Sequence, residues 1–264
     1  MIFSTNDFTQ GLPLEPLLAA AVFTGARISG LMVFCPFLGN AAIPAPVKAA
    51  LTLALTVLIH PLHGPFTLAV QPWQWAGVAL SEVLVGLLLG LAANLMMEAP
   101  LLAGQILGLQ MGYSLAALFD PQTQADTPVL STFHQLSALL IFLQLNVHHW
   151  LLRAVVRSFR YLPPGHARAT GGATEALLHG AGGIFLAGVQ IAAPALVATL
   201  IADAALGFLG KASPQLPVLF VGLSIKNLLG LAMLVVTVAY WPRNFAGRFA
   251  ESIALGERLL HLAH

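Results

Sequence analysis

Six apolar stretches, at about 16–38, 47–70, 73–97, 129–152, 176–206 and 216–241, constrain this chain more than any other feature. Each is long enough to cross a bilayer, which takes about 20 predominantly apolar residues in a helix. A seventh stretch, 101–119, is apolar but glycine-rich and shorter in effect. Prolines punctuate the series. Pro44 and Pro46 separate the first two stretches, and Pro61, Pro65 and Pro72 surround the second junction. Pro100 closes the third, and Pro121 and Pro128 bracket a polar loop from Asp120 to Thr127. Pro163, Pro164 and Gly165 lead into a Gly/Ala/Thr-rich loop, and Pro214 and Pro217 make the last turn. Proline lacks a backbone donor and restricts its predecessor, so a helix end is predicted at each site. The short alternating segments of a barrel are absent. The predicted fold is all-α, a polytopic membrane-type helical protein.

Composition agrees. The chain is 58% hydrophobic and 8% charged, against about 25% charged in soluble domains, and its mean hydropathy is +0.86. A net charge of +1 gives no footprint for nucleic acid. No Lys or Arg precedes the first apolar run, whereas Asp7 and Glu15 do, so that run is expected to be retained rather than cleaved as a signal peptide. The single cysteine, Cys35, cannot form an internal disulfide and reads as a small packed hydrophobe. Take six spans, with 101–119 not crossing. Arg153, Arg157, Arg160 and Arg168 then share a side with Arg243, Arg248 and Arg258, against Lys48 and Lys211 on the other. The positive-inside rule places the 153–175 loop and the C-terminus in the cytoplasm. If 101–119 also crosses, the N-terminus changes side. Residues 243–264 read as an amphipathic tail helix or a solvated tail.

Arg27, Glu82, Glu98, Asp203 and Lys226 lie inside or at the edge of apolar runs. A charge at mid-bilayer costs about 2.5–3.5 kcal/mol on insertion scales, so each should face protein or water. Such groups serve either as a proton relay or as structural pairs between helices or subunits. A relay needs groups stacked along one path, which the sequence does not display. The His60/His63 and His261/His264 pairs lack further ligands nearby, and the adjacent His148 and His149 point to different faces; no metal site is expected. Nucleotide, zinc-hydrolase and nucleophile-elbow motifs are absent, so neither cofactor nor catalysis is expected.

Two glycine runs remain. Gly86 and Gly90 form a small-x-x-x-small motif that reads as tight packing within one subunit. Gly104, Gly108 and Gly112 recur at four-residue spacing among Gln105, Gln110 and Met111. On a helix, the three cost about 3 kcal/mol relative to alanine. Two glutamine amides cannot be satisfied cheaply in lipid, and the proline-bounded polar loop follows. The run is consistent with a re-entrant or pore-facing element, or with an interfacial helix leading into an ordinary loop.

The residues then resemble a family. Gly108-Leu109-Gln110-Met111-Gly112, Phe119-Asp120-Pro121 and Pro128-Val129-Leu130 look like the FliR/SctT family of type III secretion export-gate proteins. Asn146-Val147-His148, Ser158-Phe159, Leu162-Pro163 and Gly165 agree, as do Ala26-Arg27, Pro36, Ile43-Pro44 and Val47-Lys48. The motifs keep family order over about 20–250, and the glycine-glutamine-methionine run looks more flagellar than injectisome. In one departure, Val147 stands where the family often has glycine, and His149 is an additional histidine.

The resemblance implies a non-enzymatic export-gate subunit of the bacterial inner membrane and flagellar basal body. It implies assembly with FliP-like and FliQ-like subunits and association with a FlhB-like subunit, in contact with membrane lipids, around a pore for unfolded protein substrates. A FliP-like part (1–165) would join a FliQ-like hairpin at about 176–241. The segment 104–119 would supply a plug, carried by Gly104, Gln105, Gly108, Gln110, Met111, Gly112 and Tyr113, with Asp120, Pro121 and Pro128 shaping the loop behind it. Competing readings are a stand-alone small-molecule permease, a virulence-type gate subunit and a scaffold with no pore role.

Overall fold

The computed structural model describes residues 14–40, 43–62, 72–113, 129–167, 171–213, 215 and 217–262. Among them all regular structure is helical. The helices are α1 (Leu14–Phe34), α2 (Ala45–Ile59), α3 (Trp75–Gln110), α4 (Val129–Gln144), α5 (Val147–Tyr161), α6 (Gly171–Ala212), α7 (Val218–Val238) and α8 (Trp241–Leu262). Short 3-10 turns occupy His60–Leu62 and Pro72–Gln74. Five helical stretches are long and apolar enough to span a membrane: Leu17–Phe34, Ala45–Leu62, Trp75–Gln110, Leu178–Ala212 and Phe220–Val238.

Three sequence expectations need correction. Pro100 does not end a helix, because α3 runs through it from Trp75 to Gln110. Likewise α6 runs through Pro194. Proline removes one hydrogen bond but not the apolar drive along the rest of a long helix, and neighbouring groups can take up the freed carbonyl. Secondly, 129–152 is not one straight span. Asn146 adopts φ 54, a left-handed conformation that asparagine tolerates better than most residues, and α4 and α5 meet at a 64° bend. Thirdly, the chain from Arg153 to Arg160 is not loop but part of α5. Its Leu151, Ala154, Val155, Ser158 and Phe159 face is buried, and its Arg153, Arg157 and Arg160 face is exposed. The arginines made this stretch look like a loop, but their spacing is that of one helix face.

The chain divides into two compact units. One gathers the described residues up to Ala93, 149–176 and those from Ile253 onward. Here α1 and α3 cross with backbones almost touching. A Cβ on Gly86 would fall on the Arg27 carbonyl, one on Gly30 on the Val83 carbonyl, and one on Gly90 within 2.6 Å of the Leu31 oxygen. The Gly86/Gly90 motif therefore packs helices within the chain, as expected. Phe23, Ile28, Leu31, Val85 and Leu89 fill the core around that crossing. The end of α8 closes this unit, with Leu259 and Leu260 buried and Tyr161 stacked on His261 at 4.4 Å.

The other unit comprises 94–148 and 177–252. Its core joins Ala103, Leu107 and Met111 of the α3 end to Leu130, Ala192, Ala195 and Leu234. Trp241, at the start of α8, lies 4.9 Å from the His134 ring and 6.0 Å from Phe245, and Phe249 meets Phe142 at 5.5 Å. The described part of the tail expected at 243–264 is thus a helix, to Leu262, with its aromatic face covered, while Arg243, Glu251 and Arg258 stay exposed.

Candidate functional site

The candidate site is the end of α3 from Gly104 and the turn that follows it to Tyr113, and its three glycines perform different tasks. Gly104 permits close crossing of α4: a Cβ there would fall on backbone atoms of Leu130 and Ser131. Gly108 is buried, and its carbonyl accepts the Tyr113 N–H at 2.9 Å. Gly112 has φ 83 and donates to the Leu109 carbonyl at 3.1 Å. Those two bonds around a left-handed glycine are a Schellman cap, which satisfies the last carbonyls of a helix. The cost of three glycines is thereby offset by one helix crossing and one helix end.

The side chains between the glycines divide by face. Gln105 and Leu109 are exposed, as is Tyr113, whereas Leu107 and Met111 are buried. Met111 fills a notch above Gly230 of α7: a Cβ on that glycine would lie 2.5 Å from the Met111 sulfur. Gln110 turns to α6 and donates from Nε2 to Asp203 Oδ2 at 2.8 Å. The other oxygen of Asp203 accepts from Lys226 Nζ of α7, also at 2.8 Å. Three expected residues from three helices therefore meet in one polar cluster. Its charges are partly exposed (Asp203 40%, Lys226 19%), so the pair is softened by its surroundings rather than fully desolvated.

The other unit holds a second, fully buried cluster. Arg27 of α1 and Glu82 of α3 are both 0% exposed. Arg27 Nε and Nη2 both reach Glu82 Oε2, at 2.6 and 2.5 Å. Nη1 donates to Ser158 Oγ at 2.8 Å and Nη2 to the Leu162 carbonyl at 2.9 Å. The remaining carboxylate oxygen accepts the Gly165 N–H at 3.3 Å, and Gly165 has φ 82, a left-handed conformation that glycine adopts without strain. The guanidinium carbon lies 3.9 Å from the centre of the Phe159 ring, within cation–π range. A buried pair is tolerated when its leftover donors and acceptors are also satisfied, and this one ties α1, α3, α5 and the following turn together.

The fifth expected charge, Glu98, is half-buried and accepts a long bond from Asn94 at 3.4 Å; it joins neither cluster. Asp120, Pro121 and Pro128, and 114–119 of the expected plug, lie outside the described residues. Sequence reasoning named Ser158, Phe159, Leu162 and Gly165 only as motif letters. Their role as the lining of the Arg27 site was signalled by that co-occurrence, but no spacing rule links residues so far apart. Among the described residues, no three His, Cys, Asp or Glu side chains converge as a metal site would need.

Comparison with known proteins bears on the chain as a whole. The model of the family described as bacterial export proteins, family 1, matches residues 18–252. The flagellar biosynthetic protein FliR of Bacillus subtilis (strain 168) is 32% identical over 227 residues, 84% of this chain and 87% of that protein. That of Escherichia coli (strain K12) is 32% identical over 208 residues, covering 79% and 80%. That of Caulobacter vibrioides is 27% identical over 238 residues, covering 89% and 93%.

Proposed function

The chain belongs to the bacterial export proteins, family 1, and from that membership we propose that it is a non-enzymatic membrane subunit of the flagellar type III protein export gate. The observation that carries this is the family match across 18–252, together with curated relatives named flagellar biosynthetic protein FliR that align over most of their length. The long apolar helices suit a membrane component.

Within that role, we assign closure of the pore to Gly104, Gln105, Gly108, Gln110, Met111, Gly112 and Tyr113. Three features support it. The α3 end finishes on a glycine cap that can rearrange without side-chain obstruction. Met111 gives that end an adaptable apolar contact, packed in the notch above Gly230. Gln105, Leu109 and Tyr113 present free surface to other chains. The α6–α7 pair is assigned as the FliQ-like hairpin, and FliP-like, FliQ-like and FlhB-like subunits as partners around a pore for unfolded substrates. Arg27, Glu82, Glu98, Asp203 and Lys226 are assigned to assembly rather than proton flux. The C-terminus is placed in the cytoplasm on the basic residues of α5 and α8.

The test is membrane conductance and secretion in cells carrying Gly108→Leu. A bulky side chain at this buried position is expected to leak small ions or to block export. Wild-type behaviour in both assays would refute the closure role. A stable monomer that transports small molecules in liposomes would sink the export role itself.

A further inference from the structure

Helices α2 and α5 enclose a groove of about 420 Å³ that is built like a receptor for an amphiphile. Its floor is aliphatic: Leu55, Leu58, Ile59 and Leu62 from one side, with Leu152 and Val156 from the other. Its rim is basic. Arg153, Arg157 and Arg160 line it together, at helical spacing along the exposed face of α5. Among the described residues, no carboxylate lines it. Glu257 lies 3.8 Å from Arg157 across a pair in which Arg157 is 67% exposed, and so loose an exposed pair leaves the arginine available to another anion.

We propose that this groove is a binding site for an anionic phospholipid of the surrounding membrane, its phosphate held by Arg153, Arg157 and Arg160 and its acyl chain lying on the leucines of α2. The occupant is argued from the helix that forms the floor. Ala45–Leu62 is apolar enough to span a membrane, yet only 11% of it is buried, so the groove opens along an apolar helix whose surface the chain itself leaves uncovered. Helix surfaces offer an entering chain no free backbone donors, and among the described residues the floor has no polar side chain to orient a peptide. Guanidinium groups recognise phosphate oxygens in planar, two-bond geometry, and basic clefts between membrane helices favour acidic headgroups. Arginines beside the end of a spanning helix also suit the cytoplasmic leaflet. The inference depends on α2 lying in the membrane and not on the export role.

The full-length chain, extracted with whichever subunits accompany it, is stripped of lipid and titrated with phosphatidylglycerol or phosphatidylethanolamine, and bound lipid is counted by native mass spectrometry. Phosphatidylglycerol is expected to be retained at least about 10-fold better. Replacing all three arginines by Gln lowers its retention on the order of 100-fold, at an unchanged melting temperature because the side chains are exposed. Replacing them by Lys keeps the charge but loses the two-bond geometry, so retention falls between those of the parent and the Gln variant, and Leu58→Gln with Leu62→Gln weakens it. Equal retention by the Gln variant, or indifference to the leucine changes, would overturn the proposal. So would displacement of the lipid by glycerol phosphate alone, which would mark a free-phosphate site, or by an acidic peptide, which would mark a protein-docking site.

Discussion

Arg27 offers the sharpest test of how the buried cluster is held. Arg27→Met preserves length and apolar volume but deletes every bond that the guanidinium makes. Glu82 is then left, fully buried, with one long bond from the Gly165 N–H at 3.3 Å. The Leu162 carbonyl loses its donor. Ser158 keeps its own bond to Val155 at 2.7 Å and is less affected. Stranding one partner of a buried ion pair costs about 3–5 kcal/mol, and an orphaned buried carbonyl adds about 1. The single change is therefore expected to destabilise by about 5 kcal/mol, and Glu82→Leu by about 4. The double replacement removes both charges at once and strands only the Leu162 carbonyl and Gly165 N–H. It should fall within about 2 kcal/mol of the parent, since apolar substitutes for a buried pair are often neutral. The measurement is a double-mutant cycle on the detergent-solubilised full-length chain, by pulse proteolysis in urea, with melting as a second readout. Additive single effects, or a single change costing less than about 1 kcal/mol, would show that the pair does not act as a unit.

The other expectations are more local. Gly86→Val should abolish accumulation of the folded chain, because its Cβ would overlap the Arg27 carbonyl and neither backbone can withdraw cheaply; wild-type levels on a membrane immunoblot would contradict this. Asp203→Asn removes the charge between Gln110 and Lys226. For so exposed a cluster it should cost the chain no more than about 1 kcal/mol, while lowering recovery of assembled complex in pull-downs; intact assembly with export uncoupled from the proton gradient would favour a relay instead. Burial pushes the Cys35 thiol up to about 12. Because the unfolded chain titrates near about 8.5, the neutral thiol stabilises fully below that pH, and its contribution fades as pH rises from there. Maleimide at pH 7.5 should leave Cys35 unmodified in the folded chain and label it after unfolding, so rapid labelling of the native chain would refute its burial.

Fold class was legible from the sequence because it rests on composition and run length. Long uninterrupted apolar stretches admit helices and little else, and the expected spans largely coincide with α1, α2, α3, α6 and α7. Helix ends were less legible wherever proline was the only signal. Pro44 precedes α2 and Pro217 precedes α7, where a missing N–H costs nothing, but Pro100 and Pro194 lie inside helices. A local rule prices one hydrogen bond, whereas the helix is held by packing along its whole length.

The same division runs through the candidate site. Residue types alone marked the glycine run, the intramembrane charges and the family, since rare residues in an apolar chain are conspicuous and motif order survives without coordinates. Which charge meets which partner was decided only by tertiary structure. Arg27 and Glu82 are 55 positions apart, and Gln110 and Asp203 are 93; nothing periodic connects such positions. Nor could spacing distinguish Gly104, which serves a helix crossing, from Gly112, which caps a helix. Both lack a Cβ, but one needs that space for a neighbouring backbone and the other for a left-handed turn, and only the packed chain determines which.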